Sequence, residues 1–298
     1  MQALDTVRRR HLVALHNETS RNIIAYYSGF LSKPDVQSDI NDEDKNGFMM
    51  AVHKLQRIRG LDLILHTPGG SIASTQSIVN YLQKMFDNDI RAIVPQMAMS
   101  AGTMIACSCK EIIMGSHSNL GPIDPHLRGT PAYGVIAEFR RAFKEIKTDP
   151  EKVHVWQPII SQYRPTFLSQ CENAIQWSNR FVMNQLSTVM FAGKTAKEKR
   201  DAKAKARRIV KELTDYTGNR SHARHIHIDE CKRMGLKIVE LEEDSVLQDL
   251  ILTVHHCYMH ALMNSGAYKI IENHLGLAFI KQTMDFVRPR PTQQQLPS

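Results

Sequence analysis

Two segments whose key residues lie thirty positions apart hold the residue types and spacing that could do chemistry. Leu61-Asp-Leu-Ile-Leu-His-Thr-Pro-Gly-Gly70 and Val94-Pro-Gln-Met-Ala-Met-Ser-Ala-Gly-Thr103 each run from an apolar stretch into a turn of small residues, then into a helical pattern. Ser100 stands at the start of the second helical pattern, where a hydroxyl can be presented to a carbonyl. Glycine in the Thr67–Gly70 turn allows positive φ and a close approach of backbone to substrate. If both turns open on one edge of a parallel sheet, the N–H groups of Gly70 and Ala101 form a two-donor oxyanion hole. Read singly, Pro-Gly-Gly is a tight turn and Ser100 is a helix N-cap. Read together they suggest a serine hydrolase.

The elements that must position these turns alternate between strand and helix. Arg21 to Ser28, Leu61 to Thr67, Arg91 to Pro95 and Glu111 to Gly115 read as strands. The second is nearly continuous in apolar residues, as in a sheet covered on both faces. Helical spacing runs from Asn41 to Leu55, and from Ser71 to Phe86 with Ser71 as cap. A short small-residue helix spans Ala101 to Cys109. The expected fold class is therefore an α/β core with largely parallel strands. A Gly- and Pro-rich loop covers residues 116–131, and a long helical insertion is expected over about 132–216. Thr195 with Glu198 offers a capping box there. A short helix from Ile228 to Met234, a strand from Leu236 to Leu241 and C-terminal helices over about 245–284 complete the reading, the last of them Ala267 to His274. Residues 1–20 read as an N-terminal helical arm, 21–288 as a single domain and 289–298 as a disordered tail.

Composition narrows the class. The 298 residues are 42% hydrophobic and 23% charged, ordinary for a soluble globular protein, and no apolar run suits a membrane span. The N-terminus has no secretory-type apolar core, which gives a cytoplasmic address by default. Cys107, Cys109, Cys171, Cys231 and Cys257 are odd in number and read as reduced thiols. The net charge of +8 is uneven: Lys194 to Lys211 holds nine Lys or Arg against Glu198 and Asp201. That run reads first as a solvated helix face. The sharper alternative is an anionic partner such as nucleic acid, which the lack of interleaved aromatics weakens. His256 and His260 have metal-ligand spacing, yet no carboxylate or cysteine completes a set, so they read as structural histidines and no metal site is assigned.

The stretch from about Ile64 to Pro125 resembles the Clp protease superfamily of serine peptidases, and more closely the serine dehydrogenase proteinase family. The carriers are His66-Thr-Pro-Gly-Gly70, Val94-Pro95, Ala98-Met-Ser-Ala-Gly-Thr103 and Leu120-Gly-Pro-Ile-Asp-Pro125. Ser221-His222-Ala-Arg-His-Ile226 and Gly235-Leu236 add weaker matches. The resemblance implies a Clp/crotonase-type β-α spiral, with Ser100 as nucleophile, Gly70 and Ala101 as oxyanion donors, Asp124 as the acid of the triad and His222 as its base. It also implies a homo-oligomer and protein or peptide substrates, with no cofactor required. Val246 to Met263 is a candidate interface helix.

Alternatives remain open at this stage. His225 and His227 rival His222 as base. A Ser/Lys dyad through Lys144 or Lys147 is ranked second. A crotonase-type acyl-CoA enzyme would share the oxyanion hole without a serine nucleophile. A non-catalytic scaffold or effector subunit would keep Ser100 as a relic. A regulatory partner is compatible with each of these readings.

Overall fold

The computed structural model describes residues 3–215 and 224–283. In chain order the elements begin with α1 (Ala3–Thr19), β1 (Asn22–Ser28), α2 (Asp44–Val52), β2 (Leu61–His66), α3 (Ile72–Phe86) and β3 (Ile90–Val94). Then come β4 (Met97–Ala98), α4 (Ala101–Ala106), β5 (Glu111–Met114), β6 (Asn119–Leu120), β7 (His126–Leu127) and β8 (Thr130–Pro131). The helical insertion follows as α5 (Ala132–Thr148), α6 (Val153–Ile160), α7 (Phe167–Gln185) and α8 (Ala196–Leu213). The chain closes with β9 (Ile226–His227), α9 (Ile228–Met234), β10 (Ile238–Glu240), α10 (Ser245–Met263), β11 (Ala267–Asn273) and β12 (Ala278–Gln282).

One seven-stranded sheet organises the molecule, in the order β10-β5-β3-β2-β1-β11-β12. The first five strands pair in parallel, while β11 and β12 add an antiparallel edge. The fold is thus mixed α/β with a mostly parallel sheet. Successive side chains of a strand point to opposite faces, and here both faces are dry. Leu63 and Leu65 of β2 join the core that includes residues of α2, α3, α4 and α8. Ile64, between them, joins the opposite core with Leu12 and Leu15 of α1 and Ile251 and Val254 of α10. That two-sided burial explains the nearly continuous apolar runs of β1 and β2.

Local signals in the sequence fix several boundaries. The Ser71 hydroxyl caps α3 by accepting from the Ser74 N–H at 3.3 Å. Thr195 and Glu198 form the reciprocal capping box at the start of α8. Asp244 caps α10 through the N–H groups of Val246 and Leu247. On α8 the buried side is Ala202, Ala206, Ile209 and Leu213, and Lys197, Arg200, Lys203 and Arg207 face solvent.

Two expectations change. Residues 267–274 do not form a helix, so the C-terminal helices do not run on to 284. Ala267–Asn273 is a strand that pairs antiparallel with β1, and a hairpin returns it to β12. Its Lys269 and Glu272 break the apolar alternation of a strand, yet both are fully buried and paired with distant residues. The helix expected over 1–20 is α1, packed onto the sheet: Arg8 and Arg9 reach Glu272 at 2.6 Å each, and Leu12 and Leu15 lie in the core. Finally, α10 is not an open interface helix along its length. Ile251, Val254, Tyr258 and Leu262 are buried, while Val246, Asp249, His256, His260 and Met263 are exposed. The proposed tail at 289–298 lies outside the described residues.

Candidate functional site

The turns after β2 and β3 do open side by side. The Thr67 N–H donates to Met97 O at 3.1 Å, and the Met99 N–H donates back to Thr67 O at 3.0 Å. These two bonds stitch the glycine turn onto the serine turn. Gly69 has φ +104°, and a Cβ there would lie 2.8 Å from both Met99 O and the Ser100 Cβ, and 3.0 Å from the Ala101 N. Only glycine allows that approach. Gly70 has φ +151°, and its Cβ would fall 2.4 Å from the N and the O of Ile40.

Ser100 occupies the N-cap position of α4 without acting as a cap. Its backbone sits at φ 50° and ψ −111°, and its side chain makes no capping hydrogen bond. Such a conformation costs a non-glycine residue about 1–3 kcal/mol and is retained only where the surroundings impose it. Thr103 supplies part of that constraint. Its buried hydroxyl lies 2.8 Å from Ala98 O and 2.9 Å from Gly121 O, and it accepts from the Gly121 N–H at 3.0 Å. The segment leading to Asp124 is thereby tied to the Ser100 turn. Among the described residues, no backbone carbonyl takes up the N–H of Gly70 or that of Ala101.

A cavity of about 580 Å³ opens over this edge. Gly70, Ser100, Ala101 and Asp124 all line it, so the structure brings together four of the residues singled out in the sequence. Ile40, Ile72, Met104 and Trp177 give it an apolar wall. Asp124 is 6% exposed, and among the described residues neither carboxylate oxygen has a hydrogen-bond partner. Burial raises its pKa, while His126 and the nearby Tyr133 N–H, which is outside good hydrogen-bond geometry, pull the other way.

The base candidates separate. His222 lies outside the described residues. His225 is exposed and does not line the cavity. It immediately precedes β9, which pairs antiparallel with β6 in the register Leu120↔Ile226. One further step of that register sets His225 opposite Gly121, whose own Cβ would meet the Ser100 N at 3.0 Å. His227 is exposed within β9. Lys144 and Lys147 are exposed on α5 and line no part of the cavity. They sit about 18–23 Å along the helix from its start, at 1.5 Å per residue.

His126 is a cavity residue that the sequence reading passed over as part of a loop. Its ring is exposed, and its Nδ1 lies 3.1 Å from the Asp124 backbone carbonyl. A carbonyl can only accept, so Nδ1 carries the proton of that bond. The one signal for it was proximity, two positions after the candidate acid. His66, although part of the glycine-turn motif, faces the other side of the sheet among Tyr27, Phe30 and His255. Burial holds it neutral, with its pKa lowered to about 3.

Residues 1–264 match the family model described as ClpP-like SDH-type serine proteinase, and the chain belongs to that family. Two uncharacterized proteins of Methanocaldococcus jannaschii are similar to it. One is 28% identical over 232 residues, covering 78% of this chain and 70% of the relative. The other is 26% identical over 209 residues, covering 70% of this chain and 62% of the relative. Among the described residues, no helix is long and apolar enough to cross a membrane.

Proposed function

We propose that the protein is a serine peptidase that cleaves protein or peptide substrates through an acyl-enzyme on Ser100. The observation that carries the proposal is the strained, uncapped Ser100 beside the two unclaimed N–H groups of Gly70 and Ala101. The Ser100 hydroxyl attacks the scissile carbonyl and its proton passes to an imidazole. The developing oxyanion is held by the Gly70 and Ala101 N–H groups, a contribution typically worth about 3–4 kcal/mol per donor. The imidazolium returns its proton to the leaving amine, and water then hydrolyses the ester by the same steps in reverse. Asp124 stabilises the imidazolium, a role suited to a buried carboxylate whose oxygens find no hydrogen-bond partner among the described residues. The base is assigned to His222, on the family's pattern. The further parts of the proposal are a ClpP-type spiral and a homo-oligomer.

A specific observation favours a second assignment for the base. His126 lines the same cavity as Ser100, with Nδ1 committed to the Asp124 carbonyl. The experiment that tests both is fluorophosphonate labelling read by intact mass. Wild type is expected to take one adduct, and Ser100→Ala none. His222→Ala and His126→Ala are compared for rate, and the base is the one whose loss slows labelling by about a hundredfold or more. No adduct on the folded wild type would turn the reading toward a scaffold role.

A further inference from the structure

The Gly69–Gly70 peptide group joins two glycines, both at positive φ. A flip of a peptide between two residues changes ψ of the first and φ of the second. Between two glycines no Cβ resists either change. The Gly70 N–H therefore needs an external lock to face the cavity. A trans peptide is planar, with its C=O and N–H pointing in opposite directions. Whatever holds Gly69 O on one side thus aims the Gly70 N–H to the other.

Ile40 holds it. The Ile40 N–H donates to Gly69 O at 2.7 Å, and the Ser71 N–H donates to Ile40 O at 2.9 Å. Ile40 is itself in an irregular segment between β1 and α2, and both of its flanks are tied down from beneath. Lys269 Nζ donates to Asp39 O at 2.7 Å and to the two Asp44 carboxylate oxygens at 2.8 and 2.9 Å. Asp44 Oδ2 also accepts from the Asn41 N–H at 3.1 Å and from the Tyr26 hydroxyl at 2.8 Å. Lys269 and Asp44 are both 0% exposed. A buried ion pair is weak evidence of a stabilising device in its own right, because desolvation offsets its attraction. Its use here is geometric.

We infer that the buried Lys269–Asp44 pair is a positioning device: through Asp39, Ile40 and Asn41 it locks the Gly69–Gly70 peptide with the Gly70 N–H facing the cavity. This deepens the peptidase reading and rests on it for its catalytic consequence, although the lock itself does not depend on that reading. Lys269 and Asp44 touch no substrate; they act through Ile40.

Lys269→Met is the test, with Arg8→Met as a matched control that breaks the other buried ion pair of β11. Two readouts are taken on the whole chain. The first is hydrogen exchange of peptides covering residues 38–42 and 67–73. The second is the rate of Ser100 labelling by a fluorophosphonate. Lys269→Met is expected to speed exchange in both peptides by about tenfold or more, and to slow labelling by about tenfold to a hundredfold. Arg8→Met is expected to lower thermal stability while leaving both readouts at wild-type values. Wild-type exchange at 67–73 in Lys269→Met, or the same rise in Arg8→Met, would overturn the inference. If wild type takes no adduct, the peptidase reading fails, and the exchange comparison still decides the lock. Should Lys269→Met not fold, Lys269→Met/Asp44→Asn, which leaves no charge unpaired, takes its place with the same expected rise.

Discussion

Single atoms decide the chemistry at this site. Gly70→Ala would place a Cβ 2.4 Å from two backbone atoms of Ile40 at a φ of +151°. It is expected to cost about 3 kcal/mol or more, read as a lower urea midpoint, and to abolish Ser100 labelling in the fraction that stays folded. Asp124 gives a pH prediction with a definite sign. Its pKa is raised above the ordinary 3.8, chiefly by burial. In the proposed mechanism the ionised form stabilises an imidazolium, so labelling should fall on acidification through a value above 3.8. For stability the sign runs the other way. A carboxyl with a raised folded pKa favours the fold at low pH, and that contribution is lost as pH rises from the ordinary value through the raised one. Asp124→Asn should therefore slow labelling across the pH range, the acid limb of the imidazole base remaining, without lowering the urea midpoint at neutral pH. A lower midpoint would mean that the carboxylate has a structural partner.

At the scale of elements, β11 does two jobs through its two buried charges. Lys269 reaches the site-facing segment before α2, and Glu272 anchors α1 through Arg8 and Arg9. Removing one partner of a buried pair leaves the other uncompensated, so Arg8→Met is expected to cost about 2–3 kcal/mol by urea denaturation. Arg9 and the Tyr258 hydroxyl, which still serve Glu272, keep it from costing more. The same charges show why this part of the fold was illegible. Ala267-Tyr-Lys-Ile-Ile-Glu-Asn273 reads as half-solvated by its charges, because the residues that neutralise them lie more than two hundred positions away. By contrast β1, β2 and β3 are apolar on both faces, and α3 and α8 have their caps written locally. The site divides the same way. Ser100, Gly70 and Ala101 were legible because strand-to-helix turns are local, and Asp124 because the family pattern reaches it. The lock on Gly70 was not, since no local rule pairs Ile40 with a turn thirty residues on or with a lysine in β11.

At the scale of the whole molecule, one face of the sheet carries buried histidines that answer acid. On the face of α1 and α10, His66 is held neutral with a pKa lowered to about 3, and His255 with one lowered to about 4, each mainly by burial. His274, beside β1, is lowered to about 4 for the same reason. A histidine with a depressed folded pKa contributes stability that is fully present above its ordinary value of 6.5 and is lost as pH falls toward the depressed one. Between those limits the unfolded chain binds up to three more protons, a slope of at most about 4 kcal/mol per pH unit. His66→Phe keeps the aromatic packing against Tyr27 and Phe30 and removes one of the three. It should flatten the slope by about 1.4 kcal/mol per pH unit in urea titrations from neutral pH toward pH 5. An unchanged slope would mean that His66 takes up its proton while folded. The variant also separates two effects that acid would otherwise merge. Loss of labelling that follows Asp124 should persist in His66→Phe, whereas loss that follows unfolding should move to lower pH with it. His66 ends β2, one residue before the turn that holds Gly70, so a charge forced onto it would strain the strand that leads into the Gly69–Gly70 turn. Stability on one face of the sheet and chemistry at its edge are then coupled through β2.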